Sequence, residues 1–261
     1  MGLFDKKYCD FCGKKIGLLG NKKLEDGSMC RECASRLSPW FSDRRHSTRE
    51  EIARQLEDRE ANRAAVAAFH TTRSLGRYKK LLLDEDAGKF MVTGARDFAE
   101  ENPDVLDFSQ ITGCELDIDE KQDELKTTDK DGKSVSYNPP RYEYSYQFRV
   151  KIRVNHPWFD EMAYSLSNGY VKTGRNRMAA GPANWRVNPA GGFGSANVRE
   201  YYEYLELGDE IRRTVEEIRR RGRQEAAAAA APKRAVTCPY CGASTVPDEK
   251  GCCEYCGSAL Q

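Results

Sequence analysis

Eight of the ten cysteines of this 261-residue chain fall into four Cys-x-x-Cys pairs, two near the start and two near the end. Cys9 and Cys12 are followed after seventeen residues by Cys30 and Cys33, and Cys238 and Cys241 are followed after eleven by Cys253 and Cys256. A two-residue spacing lets both sulfurs of a pair reach one ion at about 2.3 Å, and two pairs fill a tetrahedron. The pattern therefore predicts two four-thiolate sites for Zn²⁺. With every position taken by sulfur, neither site is open to a substrate, so both ions are expected to be structural. The competing chemistry, a thioredoxin-like redox pair, needs a strand and a βαβ unit around it, and the flanking sequence offers neither. Cys252 could replace Cys253 in a three-residue spacing, but the glycine that closes the knuckle favours Cys253.

The flanks indicate what positions these ligands. Gly13 follows Cys12 and supplies the positive φ of a metal knuckle, whereas Cys33 runs on into Ala-Ser-Arg-Leu, a helical continuation. Knuckle, hairpin (LLGNKKLEDGSM) and ligands from a helix start describe a treble-clef finger. Residues 9–41, with GKKIG and a following L-x-DG between the cysteine pairs, resemble a bacterial zinc-finger domain of unknown function that sits ahead of other domains. The resemblance implies a metal and a place in the chain, and no activity. At the other end Gly242 and Gly257 close two knuckles, and neither leads into a helix. That stretch resembles the short zinc ribbons appended to many bacterial and archaeal proteins.

Between the metal modules, Tyr142 to Asn155 alternates without a break. Tyr142, Tyr144, Tyr146, Phe148, Val150, Ile152 and Val154 share one face, and polar residues take the other, the signature of a half-buried strand. Strands are also expected at 78–83 and 89–93 around the turn DEDAG, at 108–118, and over WFDEMAYSL. DEKQDELKTTDKDGKSVSYNPP reads as a long polar loop. A helix capped by Asn197-x-x-Glu200 carries Tyr201, Leu205, Ile211, Val215 and Ile218 at helical spacing. Strands followed by one helix predict an α+β fold, a small antiparallel β-sheet or partial barrel with a C-terminal helix, flanked by two small zinc-binding modules. This order, with DFSQITGCEL between early strands, is similar to bacterial pleckstrin-homology-like domains over residues 75–221. The similarity implies a binding platform without chemistry. The acidic hairpin DEDAGK stands where such folds carry lipid-binding basic residues, which argues against phosphoinositide and for a protein ligand.

The remaining segments complete the expected organisation: finger 1–41, helical connector 42–74, β domain 75–222, Ala-rich linker 223–236 and ribbon 237–261. The connector opens on overlapping capping boxes at Ser47 and Thr48; its thin stripe of Ile52, Leu56, Val66 and Phe69 suits a connector or a partner-docking helix better than a buried core element, and the many charges between read as a solvated helix. Residues 167–196 mix six glycines with Lys172, Arg175, Arg177, Arg186, Tyr170, Trp185 and Phe193, a composition that suits a nucleic-acid contact, a protein contact or an insertion with no specific partner. The run Arg219-Arg220-Arg221-Gly222-Arg223 matches the negative end of a helix dipole.

Several chemistries are excluded. Asp131-Gly132-Lys133-Ser134 lacks the glycine a phosphate loop requires, because Thr127 stands there, and the region fails as a calcium loop. His46, His70 and His156 have no ligand-spaced companions, and Cys114 falls on an apolar strand face. Lys plus Arg number 42 against 41 Asp plus Glu, so no overall charge draws the chain to nucleic acid or membrane. No apolar run is long enough to span a bilayer, and the N-terminus has no secretory pattern. The sequence thus reads as a cytoplasmic, non-enzymatic zinc-binding adaptor with a protein partner, or alternatively as a nucleic-acid-associated factor using loop 167–196 and the ribbon.

Overall fold

The computed structural model describes residues 7–17, 19–175, 177–178, 196–230, 235–246 and 251–260, the side chains of 196–197 and 225–230 excepted. It divides into two compact units, Met1–Arg219 and Arg220–Gln261. The first opens with a small hairpin, β1 (Lys22–Lys23) and β2 (Ser28–Met29), followed by the single-turn helix α1 (Arg31–Ala34). Helix α2 (Arg49–Ala68) starts at Thr48 with both halves of a capping box: the Thr48 hydroxyl accepts from the Glu51 amide at 3.3 Å, and the Glu51 carboxylate accepts from the Thr48 amide at 2.8 Å. Thr48→Ala is expected to cost about 1 kcal/mol, measurable as a lower urea midpoint with an unchanged slope.

Four antiparallel strands form a meander, β3 (Arg73–Gly76), β4 (Lys80–Asp84), β5 (Lys89–Thr93) and β6 (Leu106–Asp107), with the short helix α3 (Phe98–Glu101) between the last two. A second antiparallel sheet follows. Its spine is a long hairpin of β7 (Ile111–Thr128) and β8 (Ser134–Val154), and β9 (Glu161–Ser165) and β10 (Val171–Gly174) both pair with the far side of β8. Helix α4 (Ala196–Ala230) closes the unit. The alternating row of β8 is its core: Tyr146, Phe148, Val150 and Ile152 are fully buried together with Leu81, Leu83 and Phe90 of the meander and Tyr201, Tyr204, Leu205, Ile211 and Val215 of α4. Phe148 packs edge-on to Tyr201 with ring centres 5.2 Å apart, a favoured aromatic arrangement. Gly208 lets α4 lie close to the sheet, since a Cβ there would meet the end of the Leu116 side chain at 2.5 Å and displace it.

Three expectations are corrected. The polar stretch 119–140 is not a loop. Gln122 pairs with Tyr144 and the ladder continues to Thr128 and Ser134, so the hairpin projects about 20 Å as a two-stranded arm. Between Leu125↔Arg141 and Lys126↔Ser136 the register jumps, and Tyr137–Pro140 lie outside the pairing. The strand expected to begin at Tyr78 begins at Lys80, preceded by the unforeseen β3. Nor is α2 a solvated connector: Ile52, Gln55, Arg59 and Val66 are buried. Ile52 completes the apolar cluster of the finger, formed by Ile16, Leu24, Met29, Leu37 and the buried cysteines. Arg59 donates to Asp104 at 2.7 Å and to the Arg36 carbonyl at 3.2 Å, while Asn62 donates to the Pro103 carbonyl at 2.7 Å. One helix therefore ties the finger to the meander.

Helix α4 runs without interruption through the arginine run to Ala230. In the second unit, β11 (Val236–Thr237) and β12 (Ser244–Thr245) form a two-stranded ribbon.

Candidate metal centres

Each metal module is assembled from the same local turn. Following Cys9, the Gly13 amide donates to the Cys9 carbonyl at 2.9 Å and the Cys9 amide to the Lys14 carbonyl at 2.9 Å. The pattern recurs twice in the ribbon, with Gly242 on Cys238 and Gly257 on Cys253, at 2.9 and 2.8 Å. All three glycines have φ near +70°, the left-handed geometry that a side chain resists. The turn folds each pair of cysteines back toward one point. The second pair of the finger comes differently, with Cys30 capping α1 and its sulfur accepting from the Cys33 amide at 3.3 Å.

These turns gather Cys9, Cys12, Cys30 and Cys33 into one tetrad and Cys238, Cys241, Cys253 and Cys256 into another, the four sulfurs of each lying within 4.8 Å of one another. The Cys12–Cys30 contact is 3.7 Å, Cys238–Cys256 is 3.6 Å and Cys241–Cys253 is 3.7 Å. A disulfide would need about 2.05 Å, and none of the ten cysteines forms one. Tetrahedral thiolates about 2.3 Å from a common ion sit about 3.8 Å apart, close to the separations found. Cys253 supplies the sulfur, while the backbone of Cys252 bridges to Ala259.

Electrostatics agree with a cation at each centre. Burial opposes ionisation of Cys9, yet amide hydrogens from Cys30, Phe11 and Cys12 outweigh it and bring the thiol down to about 6. Burial, then the sulfurs of Cys12, Cys30 and Cys9, push Cys33 well above the ordinary thiol range. In the ribbon the hydroxyl and amide of Ser258 lower Cys256 to about 6. The Ala243 amide favours the Cys241 thiolate, but desolvation and the neighbouring sulfurs push that group up to about 12. Four crowded sulfurs cannot all ionise unaided, and a divalent cation removes that conflict.

Residues 7–55 match the family model described as a domain of unknown function (DUF4428). The match takes in the whole first tetrad and the opening turns of α2. No curated protein and no solved structure matches the chain. The apolar cluster of the DUF4428 domain likewise reaches Ile52, so helix and finger share one small core.

The other residues singled out in the sequence lie elsewhere. His46 is exposed and contacts Asp43 at 2.6 Å, and the His70 amide donates to Asp84. His156 stacks on Phe159 with ring centres 4.2 Å apart, and burial lowers its pKa. Cys114 is half-buried against the core, where burial pushes its thiol up to about 12. It also borders a cleft of about 320 Å³ between β7 and α4. The arginines there are engaged, Arg153 with Glu115 at 2.8 Å and Arg219 with the Thr112 carbonyl at 2.5 Å. Of the segment 167–196, residues 176 and 179–195 fall outside the described residues, Arg186, Trp185 and Phe193 among them. Tyr170 donates to Asp119 and Arg177 to Glu120, so these two groups are spent on β7. Sequence reasoning missed Arg59 and Asp104, whose pairing is visible only when residues forty-five apart meet. Among the described residues no helix is long and apolar enough to cross a membrane.

Proposed function

We propose that the protein is a non-enzymatic, cytoplasmic adaptor in which two structural Zn²⁺ ions hold terminal modules and a pleckstrin-homology-like β domain binds a protein partner. The observation that carries this reading is the closure of both tetrads. Each is complete with four protein sulfurs, so an ion held there supplies cross-linking and leaves no coordination position for a substrate. Cys9, Cys12, Cys30 and Cys33 would hold one ion, and Cys238, Cys241, Cys253 and Cys256 the other. Support for the β domain comes from its order, a four-stranded meander, a second sheet and a closing helix over one core.

A second reading, nucleic-acid association, is favoured by one observation in the ribbon. Tyr240 and Tyr255, the residues before the second cysteine of each knuckle, are 73% and 72% exposed, whereas the equivalent Phe11 of the finger packs against its own core. Exposed aromatic rings stack on bases, and they also anchor protein interfaces.

Two experiments test these readings. Elemental analysis of the purified chain should give two zinc ions per molecule, and binding should release protons and weaken as the pH falls, because protons compete for the thiolates. A metal content near zero after reduction and zinc addition would sink the metal assignment. Capture of partners with and without nuclease then separates the two functions. A discrete protein retained after nuclease supports the adaptor, and a complete loss supports nucleic acid.

A further inference from the structure

Strand β7 ends the sheet order β10–β8–β7, and among the described residues no strand pairs with its outer edge. Arg219 occupies the Thr112 carbonyl at the start of this edge, which leaves the stretch from Cys114 onward. Long edge strands invite pairing, and proteins usually blunt them with proline, bulges or covering elements. From Cys114 to Asp123 the strand has no proline, and its register with β8 runs without a shift.

The two faces of this edge differ. On the inner face Cys114, Leu116 and Ile118 are only half-buried, while their partners on β8, Ile152, Val150 and Phe148, are buried. The row packs against the core, with Gly208 of α4 over Leu116, and stays partly exposed. On the outer face the order of charge is regular as far as Asp119, beyond which Lys121 pairs with Asp123 at 2.9 Å. Arg149, Lys151 and Arg153 line β8, and Glu115, Asp117 and Asp119 line β7, with Glu115–Arg153 at 2.8 Å and Asp117–Lys151 at 2.9 Å. Between Cys114 and Asp119, a strand added beyond β7 would meet acidic residues outside and half-buried apolar residues inside.

We propose that the edge of β7 from Cys114 to Asp119 docks an extended segment of a partner protein that alternates apolar and basic side chains, joining the sheet as an added strand. Main-chain hydrogen bonds supply the attachment and the two side-chain rows the selectivity, as in strand addition generally. Over Cys114–Asp119 a second copy of β7 is a poor occupant, because the carboxylates of Glu115, Asp117 and Asp119 would lie opposite those of the first, and like charges across strands are destabilising. This inference rests on the reading of the protein as a protein-binding adaptor and specifies the kind of segment it takes.

The test uses the full-length, zinc-loaded protein and a fluorescent octapeptide of alternating valine and lysine, followed by anisotropy. Comparison peptides are a valine–glutamate octapeptide and two valine–lysine octapeptides N-methylated along one edge or the other. Binding of the valine–lysine peptide should fall by about tenfold or more on N-methylation, since the lost hydrogen bonds each contribute to affinity. The valine–glutamate peptide should not bind, and Asp117→Lys/Asp119→Lys should weaken the valine–lysine peptide while circular dichroism stays unchanged. Slowed amide exchange on addition of peptide should be confined to β7 and its neighbours. Absence of binding, binding indifferent to N-methylation, or protection only at the ribbon would overturn the proposal. Nuclease-resistant capture of a discrete protein in that case would leave the adaptor reading standing and discard only this edge.

Discussion

Cys33→Ser is expected to release one of two zinc ions and to unfold the finger while leaving the β domain folded. Cys33 is buried within the tetrad and within the apolar cluster of the finger. That cluster holds few large apolar side chains, and structural zinc supplies on the order of 10–16 kcal/mol to small modules of this kind. A serine hydroxyl is a poor substitute for a thiolate, and the three remaining sulfurs would be left crowded without their counter-ion. Loss should extend to the first turns of α2, because Ile52 belongs to the same cluster. Amide exchange should therefore quicken from Tyr8 to about Ile52 and remain slow in β4, β5 and β8. A variant that still binds two ions, or one whose β domain unfolds together with the finger, would contradict this account.

The second large effect is expected at Arg59. Its guanidinium and the Asp104 carboxylate have side-chain exposures of 9% and 7%, and they meet at 2.7 Å. The remaining valences are filled: Arg59 also donates to the carbonyls of Arg36 and Asn102, and Asp104 accepts from the Ser38 hydroxyl at 2.8 Å. Arg59→Ala would leave a buried carboxylate with one weak partner, a change that typically costs about 3–5 kcal/mol. Replacing both residues by apolar ones of similar size should recover much of that loss, because neither charge then remains to be solvated. A urea double-mutant cycle measures the coupling. Additive losses would show that the pair does not act as a unit. Because the partners belong to the finger edge, α2 and the approach to β6, destabilisation should also separate the unfolding of the finger from that of the sheet.

What the sequence made legible follows the range of the forces involved. The tetrads were legible because a metal knuckle is local: the cysteine spacing and one glycine determine it, and the eight expected residues are the ones the fold gathers. Within 142–154 the alternation was legible because one face is buried, and Tyr146, Phe148, Val150, Ile152 and Val154 lie in the core. The arm at 119–141 was not, because a two-stranded ribbon with both faces in water imposes no apolar pattern on its residues. Arg59 and Gln55 misled for the opposite reason. Buried polar side chains on α2 look identical to a solvated face until what covers them is known, and only for Arg59 is that cover a set of distant hydrogen-bond partners. The four residues of β3 are too few to show a period at all.

The register jump on the arm bears on solubility. Pro139 and Pro140 sit where the outer side of β8 is no longer covered by β10, and neither has an amide hydrogen to donate. An identical arm from another molecule thus finds no continuous ladder along that side. At the concentrations where exposed hairpins begin to stack into fibrils, this arm is expected to stay dispersed, and exchanging the two prolines for threonine would restore two amide donors to that side and raise the tendency to stack.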